Sequence, residues 1–118
     1  DGSLTDFTPL KKAVRKNSLE MVRLLLKNGA DIDMKTDEKT ALMVAAEWNF
    51  LPIMKELIKS GADLFIQDYD KDIFIDYIFD EKIENEITKF ILDNPQLSNC
   101  EDFLNKLEIH KESRKYNI

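Results

Sequence analysis

The segment Leu24-Leu25-Leu26-Lys27-Asn28-Gly29-Ala30-Asp31-Ile32 returns 32 residues later as Glu56-Leu57-Ile58-Lys59-Ser60-Gly61-Ala62-Asp63-Leu64. Thr8-Pro9-Leu10 and Thr40-Ala41-Leu42 share that spacing. A spacing of 33 then carries Leu57-Ile58 to Phe90-Ile91, Gly61 to Asn94, Leu64 to Leu97, Asp37 to Asp70 and Leu42 to Ile75. Three diverged units therefore span about residues 4–97, divided at about 4–36, 37–68 and 69–97, and residues 98–118 remain as a tail. A unit this short cannot bury an apolar face by itself. Its neighbours must supply the buried area, which restricts the chain to a stacked, solenoid architecture.

Within each unit the pattern is two short helices and a loop. Thr8 caps a first helix of about eight residues, with Pro9 at the favoured first position. Asn17 stands where a left-handed residue would end that helix. Leu19, Val22, Leu25 and Leu26 fall at helical spacing on one side of a second helix, which Gly29 ends. Neither helix is long enough to be stable alone. The expected fold is all-α: a right-handed stack of three helix pairs closed by a tail helix.

This pattern resembles the ankyrin repeat. The family pattern opens its first helix with Thr-Pro-Leu-His-Leu-Ala-Ala, followed by a Gly-His-Leu-Glu turn, a Val-Val-Lys-Leu-Leu-Leu helix and Gly-Ala-Asp. The first unit here reads Thr8-Pro9-Leu10-Lys11-Lys12-Ala13-Val14, then Asn17-Ser18-Leu19-Glu20-Met21-Val22-Arg23-Leu24-Leu25-Leu26, then Gly29-Ala30-Asp31. The second reads Thr40-Ala41-Leu42-Met43-Val44-Ala45-Ala46, and later Gly61-Ala62-Asp63. The third unit keeps the register and little of the motif. The resemblance implies an ankyrin-type helix-turn-helix stack, an α-solenoid. Asp6, Glu38 and Lys71 stand where the family has a loop Gly. Glu and Lys tolerate positive φ poorly, so those loop tips are expected to bend differently. Asn17, Asn49 and Asn94 replace Gly at three turns.

Terminal units of an array need polar outer faces. Lys12 sits where an internal unit would carry Leu, which suggests a first unit with no predecessor. At the other end Ile78 and Phe79 occupy the places of Ala45 and Ala46. Bulk there obstructs an ordinary fourth unit. A closing helix is expected over about 99–113. Ser98-Asn99-Cys100-Glu101 forms a capping-box pattern, and Cys100, Phe103, Leu104 and Leu107 form an apolar stripe. The rival reading is an exposed helix that docks into another protein.

Several functions are disfavoured by composition. The chain of 118 residues is 43% hydrophobic and 34% charged, with a net charge of −6. Residues 1–28 carry a net +3 and residues 61–97 a net −7. An acidic chain is a poor ligand for nucleic acid or an anionic membrane. No apolar run approaches the ~20 residues of a membrane span. One cysteine, Cys100, allows no disulfide within the chain and points to a reducing, cytoplasmic setting. The start at Asp1-Gly2-Ser3 without Met reads as a fragment of a longer parent.

Catalytic and metal constellations are weak. Cys100 and His110 lie too far apart on one helix to act as nucleophile and base. Asp68, Asp70, Asp72 and Asp76 follow the spacing of a calcium loop at positions 1, 3, 5 and 9. Ile73 replaces its Gly, however, and Phe79 replaces the closing Glu. The cluster reads as a solvated acidic loop. No enzymatic activity, cofactor, metal or small-molecule substrate is expected.

The resemblance implies a monomeric protein-interaction module, an adaptor or scaffold that meets its partner protein along the loop tips and exposed first helices. By register this concave face holds Leu4, Thr5, Phe7, Arg15 and Lys16 in the first unit. The second contributes Thr36, Asp37, Lys39, Met43, Glu47 and Trp48. The third contributes Tyr69, Asp70 and Asp72 from its loop, and Asp76, Asp80 and Glu81 from its first helix. Trp48 is the expected anchor, because Trp is enriched in binding hot spots. The acidic third unit favours a partner with a basic segment. The alternative is a spacer or packing module within a larger enzyme or effector.

Overall fold

The computed structural model describes residues 8–36, 39–94 and 100–116, with the side chains of 103–113 in the last stretch. Helix α1 (Pro9–Arg15) starts at Thr8, whose hydroxyl accepts from the Lys11 N–H at 3.1 Å. Helix α2 (Leu19–Lys27) starts at Ser18, whose hydroxyl accepts from the Met21 N–H at 3.3 Å. Thr40 repeats the device for α3 (Ala41–Glu47) through the Met43 N–H. Helix α4 (Leu51–Lys59) has Pro52 in its first turn. A 3-10 turn (Phe74–Tyr77), α5 (Glu81–Leu92) and α6 (Cys100–Tyr116) complete the order. Each cap satisfies an N–H that the helix leaves without an internal partner.

Two layers result. In one, α1 lies beside α3 and α3 beside the 3-10 turn; in the other, α2 lies beside α4 and α4 beside α5. Helix α1 also packs on α2, and α3 on α4. The core runs continuously through both layers. All of Ala41 through Ala46 is buried in the centre, as are Val14 and Val22 before it, and Ile87 and Ile91 after it. Ala45 and Ala46 have no side chain beyond Cβ, which lets neighbouring backbones approach.

The turns follow the expected chemistry at two asparagines. Asn17 and Asn49 have φ of 55° and 58°, and Gly29 and Gly61 have 89° and 99°. Asn94 departs from the expectation and is not among the positive-φ residues. Its side chain instead donates to the Phe90 carbonyl at 2.8 Å. Lys71 also departs. It keeps a left-handed φ of 65° despite its Cβ. The Lys71 N–H bonds to the Asp68 carbonyl at 3.0 Å, and this closed loop holds the conformation. Asp6 and Glu38 lie outside the described residues.

The third unit corrects the expectation of a regular helix pair. Its first element is only a four-residue 3-10 turn, and Ile78 is extended at φ −95°, ψ 111°. In α3 the corresponding Ala45 and Ala46 are fully buried. A helix continued through Ile78 and Phe79 would drive large side chains into that narrow space. The chain straightens instead, and Phe79 turns out to 93% exposure. Asp80 and Glu81 consequently do not lie on a first helix. Asp80 caps α5, accepting from the Lys82 N–H at 2.9 Å, and Glu81 is the first residue of that helix.

Helix α6 extends the expected 99–113 by a turn at its far end. Phe103 and Leu107 enter the core at 1% and 7% exposure, but Leu104 is exposed. The Cys100 side chain lies outside the described set. The Phe103 ring packs on Phe65 with centroids 5.8 Å apart. His110 Nε2 meets Asp76 Oδ2 at 2.5 Å, and Lys111 reaches Glu84 at 3.4 Å. Phe79 is not covered by this helix.

Candidate functional site

The loops before each first helix are built by short-range hydrogen bonds. Thr36 and Lys39 exchange N–H···O bonds of 3.1 and 2.9 Å, forming a single antiparallel bridge. Lys11 reaches this loop from α1. Its side chain is buried, and its Nζ donates to the Thr36 carbonyl at 2.6 Å and to Thr36 Oγ1 at 2.8 Å. A buried ammonium is tolerated only when its donors are used in this way. Thr36 is therefore a structural acceptor, half-buried, more than a free recognition group.

Lys39 bridges the second and third units. Its Nζ pairs with Glu47 at 3.2 Å and lies 5.5 Å above the Tyr77 ring. Cation and ring attract through the ring quadrupole. Tyr77 in turn donates its hydroxyl to the Asp68 carboxylate. The other oxygen of Asp68 accepts from the Asp70 and Asp72 N–H groups at 2.8 and 2.9 Å. Asp68 is buried by this arrangement. Carboxylate oxygens of Asp68, Asp70 and Asp72 can be chosen within 4.8 Å of one another. Both Asp68 oxygens are already bonded to the loop and Tyr77, so this carboxylate organises the turn that presents Tyr69 and Asp70.

A corner of the stack gathers the remaining candidates. At the repeat spacing, Arg15, Glu47 and Asp80 are equivalent, and so are Lys16, Trp48 and Glu81. All six are exposed, and each pair lies where its unit turns between its two elements. The corner thus runs from two cations, past Trp48, to two carboxylates. Trp48 ends α3 and is 60% exposed. Its ring also leans on Phe50, centroids 6.4 Å apart and planes 20° apart. Tyr69 is 80% exposed on its loop tip.

Met43 must be withdrawn from the candidate face. At 1% exposure it belongs to the core, inside the α3 run that the units on both sides enclose. Asp37 lies outside the described residues. Phe79 was missed as a surface group because its alignment with Ala46 suggested packing. Its exposed ring adjoins Asp80 and Glu81 at the same corner. The available signal was the absence of Ala and the run of bulky residues from Ile73 to Phe79, which disfavours a regular helix there.

Stacked helix pairs with buried alanines, left-handed turns at a fixed spacing and loops projecting from one edge define a helical repeat protein. The family model for ankyrin repeats (3 copies) matches residues 2–68, and the chain belongs to the ankyrin repeat family. Such repeats are generally protein–protein interaction modules and typically non-catalytic. The crystal structure of the ankyrin repeat domain of Bcl-3, described as a unique member of the IkappaB protein family, is similar at a TM-score of 0.66 and 30% identity. The match covers 71% of this chain and 37% of that one, so the chain spans little over a third of the Bcl-3 domain. No curated protein matches the chain. Among the described residues no helix is long and apolar enough to cross a membrane.

Proposed function

We propose that the chain is an adaptor whose partner protein lies along the loop-and-corner face. Three units at about 4–36, 37–68 and 69–97 build that face, and residues 98–118 close the stack. The observation that carries the reading is Trp48: a large aromatic that is 60% exposed at the centre of a charged corner. Exposed Phe79 and Tyr69 widen the aromatic surface, and Trp and Tyr supply contact area at low entropic cost. Arg15 and Lys16 at one end, with Asp70, Asp72, Asp80 and Glu81 at the other, orient an elongated partner whose basic segment lies over the third unit. Thr36, Lys39 and Glu47 support the loop and corner between them.

The experiment is capture of partners by the wild-type chain, then titration of the identified partner at two salt concentrations. Trp48→Ala should weaken binding by about 2 kcal/mol, the scale of a hot spot. The double variant Asp80→Lys, Glu81→Lys should act through salt-dependent association. Full affinity in both variants, with the fold intact, would move the interface off this face.

A further inference from the structure

The two ends of the stack are finished differently. At the far end α6 brings Phe103 and Leu107 into the core beside the third unit. Among the described residues nothing similar covers the first unit. Met21, Leu24 and Met34 are 45%, 52% and 44% exposed, and Leu25 is only half-buried.

The repeat register shows what this face is built to meet. Met21, Leu24 and Leu25 correspond to Ile53, Glu56 and Leu57 in the second unit. There Ile53 and Leu57 are fully buried, and Glu56 receives Arg23 of the first unit at 3.1 Å. Helix α4, which carries all three, packs on α2 of the first unit, and Glu56 meets it directly. The groove beside them shows the same difference. Thr8, Pro9, Leu25, Ala30 and Met34 help line an open groove of about 340 Å³. The counterparts of the first four, Thr40, Ala41, Leu57 and Ala62, are buried, and Ile66, the counterpart of Met34, is half-buried. A backbone contact repeats the message. Asp33 Oδ1 of the first unit accepts from the Asp63 N–H of the second at 2.8 Å, and Asp31 is the counterpart of Asp63.

We propose that the outer face of the first unit is a stacking surface occupied by a further helix pair of the same repeat kind, joined ahead of residue 5 in register. Such a unit would lay its own equivalent of Arg23 over Leu24 and its equivalent of Asp33 against the Asp31 N–H. Its apolar side would cover Met21, Leu24 and Leu25. Lys12, which stands at the place of Val44, would run its four-carbon stem along the added helix and keep its ammonium at the rim. The lysine is thus compatible with a neighbour. The first unit is then internal, which reverses the sequence expectation of a terminal cap. The interface extends the junction already present between the first and second units.

The test duplicates residues 5–36 ahead of the full unit, so that the repeat spacing is kept, and compares thermal midpoints. The extended chain should melt in one transition, about 5 °C or more above the original, because each unit adds an interface to its neighbour. Met21→Glu with Leu24→Glu should leave the midpoint of the original chain within about 2 °C, since both sites are exposed. The same pair, made in the original unit of the extended chain, should abolish its gain. A separate early transition for the added unit would overturn the proposal. So would a loss of several degrees in the unextended double variant. That result would show the face already covered, by residues 1–7 or by a second copy, and the mass of the chain in solution would tell those two apart.

Discussion

Truncating Phe103 to Ala tests how α6 is held, and its cost has a ceiling. The ring is 1% exposed and packs on Phe65. Phe→Ala in an ordinary core costs about 3–5 kcal/mol through lost transfer energy and the cavity left behind. Among the described side chains of helix α6, however, only Phe103 and Leu107 enter the core. Burying both contributes about 3–6 kcal/mol before the ordering of the segment is subtracted. The Lys111–Glu84 pair is largely exposed and adds little, and the half-buried His110–Asp76 hydrogen bond adds about 1 kcal/mol. A helix that has already detached has nothing further to lose, so Phe103→Ala cannot cost more than deletion of residues 98–118. We expect the deletion to cost about 3 kcal/mol, and Phe103→Ala about 2–3. Leu107→Ala made on top of Phe103→Ala should add under about 0.5, a strong departure from additivity. The midpoint should fall by roughly 10 °C for either large change. Urea denaturation followed by circular dichroism reads all three. A Phe103→Ala cost clearly above that of the deletion would refute the reasoning, and an unchanged midpoint on deletion would make the tail a free arm.

Two further substitutions probe the loops. Lys71→Gly should raise stability by about 0.5–1 kcal/mol, because Lys71 holds a φ of 65° that a Cβ disfavours and its hydrogen bonds are made by backbone atoms; a lower denaturation midpoint would show that the side chain contributes more than the strain costs. Lys11→Met should cost about 1–2 kcal/mol, since Met43 shows that the aligned site accepts a Met but the two bonds to Thr36 are lost. Amide exchange at Thr36 and Lys39 should speed up in that variant, and an unchanged loop would mean that Lys11 does not anchor it.

The sequence alone determined what depends on local chemistry and spacing. Thr8, Ser18 and Thr40 cap helices because a hydroxyl at that position meets an N–H with no other partner. Asn17 and Asn49 turn left-handed because Asn tolerates that conformation. The 32-residue spacing with Ala45 and Ala46 requires stacking, since no single unit can bury its own face. What only the tertiary structure decided is where those local preferences met neighbours. A lysine ordinarily keeps its charge in water, yet Lys11 is buried because a loop 25 residues away offers two oxygens. Met43 reads as a face residue, yet the units on either side enclose it. Phe79 aligns with a buried alanine, yet it faces solvent because the space shaped by Ala46 does not admit a ring. Lys71 resists a left-handed turn, yet it adopts one because Asp68 and Tyr77 close the loop around it. Caps and turns are settled within a few residues of chain, whereas burial is settled by whatever the stack brings alongside.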